Sequence, residues 1–303
     1  MDLEYFLADV FTHKPFSGNQ LGVFPKADHL KDHQMQTLAK ELNFSECTFV
    51  QSPQKGGDFK LRIFTPEKEL PMAGHPTLGA AAVLRSLGRI SKEEFTFEEN
   101  VGPIKVSFHP DGWISMEQPL PRFGAIFEEP GMISPLVGLT TQDLLPGGEI
   151  QMVSCGLPYL IIPVKDQEAL NKARVDREVY NSAKSKLNFG ELYLWCRGEK
   201  SGTYHTRMFA PGVGIEEDAA TGSAAGPFVC YLVRNGYGEL TDGALEIEIF
   251  QGENMGRPSH LKARTSYGSQ GYSQVLVSAK VVILASGFFK GFLFDSPEDT
   301  LNP

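Results

Sequence analysis

Arg62-Ile63-Phe64-Thr65-Pro66 is matched later in the chain by Arg207-Met208-Phe209-Ala210-Pro211, and Thr77-Leu78-Gly79-Ala80-Ala81 by Thr221-Gly222-Ser223-Ala224-Ala225. Positions 62 and 207 are 145 apart and positions 77 and 221 are 144 apart, in a chain of 303 residues. A near-constant offset close to half the chain length marks a duplicated unit. In the first copy, residues 59–64 alternate with period two and stop at Thr65-Pro66, which reads as a strand. Residues 77–87 then carry Leu78, Ala80, Ala81, Ala82, Val83 and Leu84 with almost no polar face, so they predict a helix buried nearly all round. The second copy repeats the order: strand, Pro/Gly/acidic loop, then an Ala-rich helix ending at Asn235-Gly236.

Working outward, residues 3–10 read as a strand, Phe16-Ser17-Gly18-Asn19-Gln20 as a turn, and residues 21–24 as a second strand. Leu30, Met35, Leu38, Ala39 and Leu42 line one helical face that ends at Asn43, which leaves Ser45 and Glu46 in a helix-to-strand junction. Alternating segments at 95–97, 104–108, 245–249 and 274–277 read as half-exposed antiparallel strands. The expected architecture is α+β, with two pseudo-equivalent domains, each a mainly antiparallel curved sheet or barrel around a central helix. The division falls at 1–118 and 119–303, near Gln118-Pro119-Leu120-Pro121, with the C-terminal tail able to pack back on the first half.

Composition narrows the function. With 37 acidic and 28 basic side chains the formal charge is -9, and no Lys/Arg-rich run is present. That balance argues against nucleic acid and anionic membranes as partners and leaves small molecules or proteins. The apolar run at 281–285 is far short of the roughly 18 residues of a spanning helix. Met1-Asp2-Leu3-Glu4 is acidic where a secretory signal is basic, so a cytoplasmic location is expected. Cys47, Cys155, Cys196 and Cys230 have no ligand-like spacing and read as buried free thiols.

Three places carry residues suited to chemistry. Ala73-Gly74-His75-Pro76-Thr77-Leu78-Gly79 enters the buried helix, where free amides and the positive end of the helix dipole suit a small anion and His75 adds a proton donor or acceptor. The same loop would also serve simply as a turn and cap. Glu216-Glu217-Asp218-Ala219-Ala220-Thr221-Gly222-Ser223 holds the matching position, and an acidic cluster there also complements a helix dipole without any chemistry. Duplication changes the balance, because pseudo-twofold packing brings two helix starts to one cleft, able to hold a carboxylate between His75 and Asp218. Glu46 alone reads as a surface charge, but Phe44, Cys47 and Phe49 around it would raise its pKa if the junction is covered.

Taken together, Phe16-Ser17-Gly18-Asn19, Ser45-Glu46, residues 69–79, Asp218-Ala219-Ala220-Thr221-Gly222-Ser223-Ala224, Gln251-Gly252 and Gly256-Arg257-Pro258-Ser259 resemble the phenazine-biosynthesis PhzF-like family, over nearly the whole chain and in order. The resemblance implies the diaminopimelate-epimerase-like fold and a cofactor-independent isomerase that moves a proton on a small carboxylate, with dihydro-hydroxyanthranilate isomerisation as the model reaction. It implies Glu46 as the catalytic acid/base, His75, Asp218 and Ser223 as further catalytic groups, and Asn19, Gly74, Thr221 and Gly222 as substrate-binding residues. A homodimer is implied as well. The chain departs from the family pattern at Gln20, Cys47 and Ala219, and it lacks the paired loop cysteines of the related epimerases.

Other signals are weaker. His29 and His33 would share a helical face, but no third ligand accompanies them, so no metal is expected. Gly212-Val213-Gly214 lacks the rest of a dinucleotide fingerprint. Ser223, His75 and Asp218 are the residue types of a hydrolase triad, without a G-x-S-x-G elbow. A non-catalytic carboxylate-binding or interaction protein on the same fold is the alternative outside enzymology.

Overall fold

A computed structural model describes residues 2–290. The first part of the chain forms β1 (Leu3–Val10), β2 (Asn19–Phe24), α1 (Asp32–Leu42), β3 (Glu46–Gln51), β4 (Phe59–Phe64), β5 (Glu69–Leu70), α2 (Gly74–Ser86), β6 (Glu94–Glu99), β7 (Gly102–Phe108) and β8 (Ile114–Glu117). Then follow β9 (Arg122–Ile126), α3 (Pro130–Ile133), β10 (Gln151–Ser154), β11 (Pro158–Pro163), α4 (Gln167–Lys172), α5 (Arg177–Lys184), β12 (Glu191–Arg197), β13 (Thr203–Ala210) and β14 (Ile215–Asp218). The chain continues through α6 (Gly222–Arg234), β15 (Ala244–Gln251), β16 (Ser259–Gly268), β17 (Gly271–Ala279) and β18 (Val281–Phe289).

Strand pairing repeats. In the first half β1–β2 is antiparallel, β2–β3 parallel, β3–β4 and β4–β5 antiparallel, β4–β6 parallel, and β6–β7–β8 antiparallel. The same sequence of pairings runs from β10 through β11, β12, β13, β14, β15 and β16 to β17. An antiparallel β8–β17 contact joins the two ladders into one curved sheet. Two further antiparallel pairings complete the sheet: β9 pairs with β10, and β18 returns to pair with β1 of the first half. Each half thus wraps its sheet around one helix, which is the α+β, diaminopimelate-epimerase-like architecture.

The wrapped helices are α2 and α6. Ten of the 13 residues of α2 and 11 of the 13 of α6 are buried, as an all-round apolar sequence requires. Both belong to the largest core, with Val10, Leu21, Phe97, Trp195, Ile249 and Val277 from the surrounding strands. Shorter amphipathic helices cover the outside. Met35, Leu38 and Ala39 of α1 pack on Phe24 and Phe49, whose rings stack at 4.6 Å, and α4 and α5 cover a separate cluster around Leu160, Leu192 and Leu194. All four cysteines are buried and unpaired.

Two details of the expected duplication change. Both buried helices were expected to start at threonine, with Thr77 opposite Thr221, yet α2 begins at Gly74 and α6 at Gly222. Arg62 and Arg207 do correspond, each forming a two-pronged pair, with Glu69 and Glu217 respectively. Glu69 and Glu217, however, are 148 apart, as are Gly74 and Gly222, because Arg207 and its glutamate are separated by 10 positions and Arg62 and its glutamate by 7; the β13–β14 hairpin takes up the difference in longer strands and a register shift between Met208 and Ala210. The Thr-x-x-Ala-Ala match at offset 144 is therefore out of register. Pro76 suggested a loop, but within the first turn its missing N–H costs nothing, so His75 is helical.

Candidate active site

Glu46 is aimed by a helix stop and a parallel strand pair. Asn43 ends α1 in the left-handed conformation at φ 51°, and Glu46 opens β3 opposite Leu21 of β2. Asp218 ends β14, and two alanines lead from it to Thr221, the residue before α6. Glu216 and Glu217, neighbours of Asp218, pair with Arg177 and Arg207 instead and are not in the cavity lining.

Glu46, His75, Asp218 and Ser223, with Gly74, Thr221 and Gly222, line one cavity of about 500 Å³. Within it, His75 Nε2 lies 3.4 Å from Glu46 Oε2, and neither atom has a hydrogen-bond partner. Burial, with the charge of Asp218 added, pushes the Glu46 carboxyl up to about 8. Burial also raises Asp218, to about 6, against the hydrogen bonds from Thr221 and Asn19 that favour its charged form. His75 goes the other way: burial lowers it to about 3, although a hydrogen bond with the Gln20 backbone opposes the shift. At neutral pH the pair facing one another is therefore a carboxylic acid and a neutral imidazole rather than an ion pair. A nearby carboxylate, Asp218, completes the set.

The helix starts meet at the same point. Neither α2 nor α6 has a side-chain cap, so their first amides are free for a ligand. A β-carbon on Gly74 would come within 2.7 Å of the Gly222 backbone, and one on Gly222 within 3.1 Å of the Gly74 α-carbon. Only glycine permits this contact, which aims two positive helix ends at one small volume. Ser223 adds a hydroxyl, 2.6 Å from that of Tyr159.

Asn19 is not in the wall of this cavity; it lines an adjoining one together with Ser45 and Asp218. Its amide donates to Asp218 Oδ1 at 2.7 Å and to the Ala220 carbonyl at 2.9 Å, and its oxygen accepts from Ser45 Oγ at 3.1 Å. With the amide consumed by protein, Asn19 holds Asp218 beside Ser45. The hydrolase reading also fails on geometry. Ser223 bonds Tyr159, Asp218 bonds Asn19 and Thr221, and no hydrogen bond runs from Ser223 to His75 or from His75 to Asp218. The departures at Gln20, Cys47 and Ala219 lie outside the cavity lining.

Two residues that the sequence reading passed over, Tyr159 and Glu191, matter here, and so does the Gln251-Gly252 motif, to which it gave no task. Tyr159 is set against Ser223. Buried Gln251 bonds the Asp218 carbonyl at 2.8 Å and the Thr221 hydroxyl at 3.0 Å, fixing the turn between them. The adjacent Gly252, at φ +77°, lets the Ala219 carbonyl approach to where a β-carbon would lie only 2.5 Å away. Glu191 also lines the cavity. Its signal was available: Asn43-Phe44-Ser45-Glu46 recurs as Asn188-Phe189-Gly190-Glu191, with positions 46 and 191 separated by 145, the offset of the β4/β13 repeat.

A buried carboxyl that keeps its proton at neutral pH, set beside two paired helix starts, is an arrangement suited to acid/base chemistry on a carboxylate, and the two helices wrapped by one duplicated sheet are the diaminopimelate-epimerase-like fold. The profile of the phenazine biosynthesis-like protein family matches residues 8–287. Over 290 residues the chain is 34% identical to trans-2,3-dihydro-3-hydroxyanthranilate isomerase from Pseudomonas aeruginosa, covering 93% of this chain and 98% of that protein. An uncharacterized isomerase from Mesorhizobium japonicum is also 34% identical, over 296 residues that cover 93% and 97% of the two chains. Among solved structures, a PhzF-family phenazine biosynthesis protein from Bacillus anthracis superposes with a TM-score of 0.86 at 25% identity, covering 95% of this chain and 99% of that one. A hydroxyproline epimerase from Agrobacterium vitis shares the fold at a TM-score of 0.63 and 9% identity, over 98% and 94% of the chains. The chain belongs to the phenazine biosynthesis-like (PhzF) family and is an isomerase. No helix among the described residues is long and apolar enough to cross a membrane.

Proposed function

We propose that the protein isomerises a small unsaturated ring carboxylate of the trans-2,3-dihydro-3-hydroxyanthranilate type, with Glu46 carrying the proton. The observation that supports this most is the unpartnered Glu46 Oε2, enclosed at a pKa of about 8 beside the uncapped starts of α2 and α6. In this reading the amides at Gly74 and Gly222, with Ser223, hold the substrate carboxylate. Glu46 gives its proton to one carbon of the conjugated system while the other oxygen of its carboxyl takes a proton from a second carbon, so that no full positive charge develops on the ring beside the helix starts. The bonds balance: one C–H forms, one C–H breaks, and Glu46 ends as it began. Neutral His75 orients the Glu46 acid, and ionised Asp218, held by Asn19 and Thr221, keeps Glu46 protonated at neutral pH.

The reading is tested by following trans-2,3-dihydro-3-hydroxyanthranilate by NMR in deuterated water. Isomerised product carrying solvent deuterium is expected, whereas a protein that only binds carboxylates returns the compound unchanged. The pH dependence has a definite sign. Glu46 is competent as an acid below about 8 and Asp218 is charged above about 6, so kcat/KM should fall on both sides of that window. A rate that only climbs through pH 9 would instead make the Glu46 carboxylate the starting form.

A cytoplasmic homodimer remains part of this proposal on the strength of the family resemblance. Size exclusion with light scattering should give twice the 33.4 kDa chain mass. A mass of one chain at micromolar concentration would remove the dimer.

A further inference from the structure

The duplication gives Glu46 a counterpart that the mechanism above does not use. Glu46 opens β3, paired through Leu21 of the parallel neighbour β2, and Glu191 opens β12, paired through Tyr159 of the parallel neighbour β11. Both glutamates follow an Asn-Phe-small segment, and both line the same cavity. The pseudo-twofold relation therefore brings a carboxyl into the site from each half.

Their surroundings differ in a way that assigns different work. Glu46 has no cation beside it, and its Oε2 waits unpartnered for whatever enters. Glu191 is anchored: its Oε2 accepts the Tyr180 hydroxyl at 3.0 Å, and its Oε1 stands 4.0 Å from Lys184 Nζ, beyond hydrogen-bond range. Lys184 itself is committed to the Phe189 carbonyl at 2.5 Å. The tyrosine hydroxyl fixes the orientation of the carboxyl. Burial of Tyr159 raises its hydroxyl, and the charges of Asp218, Glu46 and Glu191 all add to the effect, so the Tyr159–Ser223 pair lies within electrostatic reach of the carboxyls of both halves. A carboxylate that is held, oriented and left with an oxygen free of hydrogen bonds is suited to receive a donor, not to shuttle a proton.

We propose that Glu191 is a specificity-determining residue that accepts a hydrogen bond from a hydroxyl or amino substituent of the substrate, while the helix starts hold its carboxylate. This subsite rests on the acid/base reading of the cavity, in which Glu46 does the chemistry. It divides the two carboxyls left by the duplication into one that transforms and one that recognises.

The test is equilibrium binding, so that it does not depend on turnover. Benzoate, which carries only a carboxylate, and 3-hydroxyanthranilate, which adds hydroxyl and amino donors, are titrated by calorimetry into the native protein, Glu191→Leu and Glu191→Gln. The native protein should bind 3-hydroxyanthranilate more tightly than benzoate. Glu191→Leu should weaken 3-hydroxyanthranilate about 10- to 100-fold and leave benzoate within about threefold. Glu191→Gln, which keeps the size and one acceptor oxygen, should fall between them and excludes a folding defect as the cause. Equal losses for both ligands, or no loss for either, would overturn the subsite. Failure of the native protein to bind either ligand would overturn the carboxylate site together with it. Glu191-dependent binding in a protein that does not turn over the dihydro compound would retain the subsite and retire the proposed reaction.

Discussion

Glu46→Gln should lower kcat by about 10² to 10⁴ while affinity for a carboxylate ligand stays within a few-fold. Glutamine matches glutamate in size and keeps an acceptor oxygen toward His75, but it has no proton to give and cannot take one. The wall it occupies is otherwise intact, because Asp218 is held by Asn19 and Thr221 rather than by Glu46. Single-turnover rates and deuterium incorporation report the chemical step, and calorimetry reports binding. The variant also relieves the protein of a buried carboxyl whose pKa is raised to about 8. The native group binds its proton more tightly folded than unfolded, so its contribution to stability falls as pH rises from the unfolded value near 4.5 toward 8. Glu46→Gln should therefore lose that part of the pH dependence of stability. Full activity in this variant would remove the acid/base assignment, and lost binding with retained turnover per bound ligand would make Glu46 a holding group.

Gly74→Ala should damage both binding and stability, out of proportion to one methyl group. The new β-carbon would sit 2.7 Å from the Gly222 carbonyl carbon, the Gly222 α-carbon and the Ser223 nitrogen, all backbone atoms that no rotamer change can move. Relief requires the starts of α2 and α6 to separate, which opens the cradle for the carboxylate. Overpacking of this kind costs about 1–3 kcal/mol. A lower Tm together with at least a tenfold loss of benzoate affinity is the expected result. An alanine variant with native melting and native affinity would show that the two helix starts do not form one site. Glu46→Gln and Gly74→Ala thus separate the two functions of the cavity, since the first removes chemistry and keeps the cradle, and the second opens the cradle with the carboxyl still present.

The duplication, the strand and helix types and the buried character of α2 and α6 were all legible in the sequence, because each rests on local periodicity. Residues 59–64 alternate and residues 78–84 do not, and no tertiary context was needed to tell a half-buried strand from an enclosed helix. Glu46, His75, Asp218 and Ser223 were legible through motifs at chain positions that the repeat made comparable. The register of that repeat was not, because three extra residues taken up within the β13–β14 hairpin leave no mark on periodicity, while a chance Thr-x-x-Ala-Ala match mimics the wrong alignment. The bonds of Asn19 to Asp218 and the Ala220 carbonyl were not legible either, since a sequence does not say which hydrogen bonds an amide makes.

What the sequence determined by itself, then, is the class of fold, its twofold character and the chemical types available to the site: a carboxyl, an imidazole, a hydroxyl and two glycine-led helix starts. Tertiary structure alone decided what state those groups are in and what they face. Desolvation raises Glu46, helped by the charge of Asp218, and desolvation alone lowers His75, so that between about pH 4.5 and 6.5, where free side chains would be carboxylate and imidazolium, Glu46 is an acid and His75 is neutral. The same is true of Glu191, whose Asn-Phe context is visible at residues 188–189 but whose Tyr180 anchor and Lys184 neighbour exist only once α5 has packed beside β12, and whose cavity needs residues of both halves. Periodicity is a property of neighbours along the chain, whereas proton affinity is set by burial and by charges brought together from both halves.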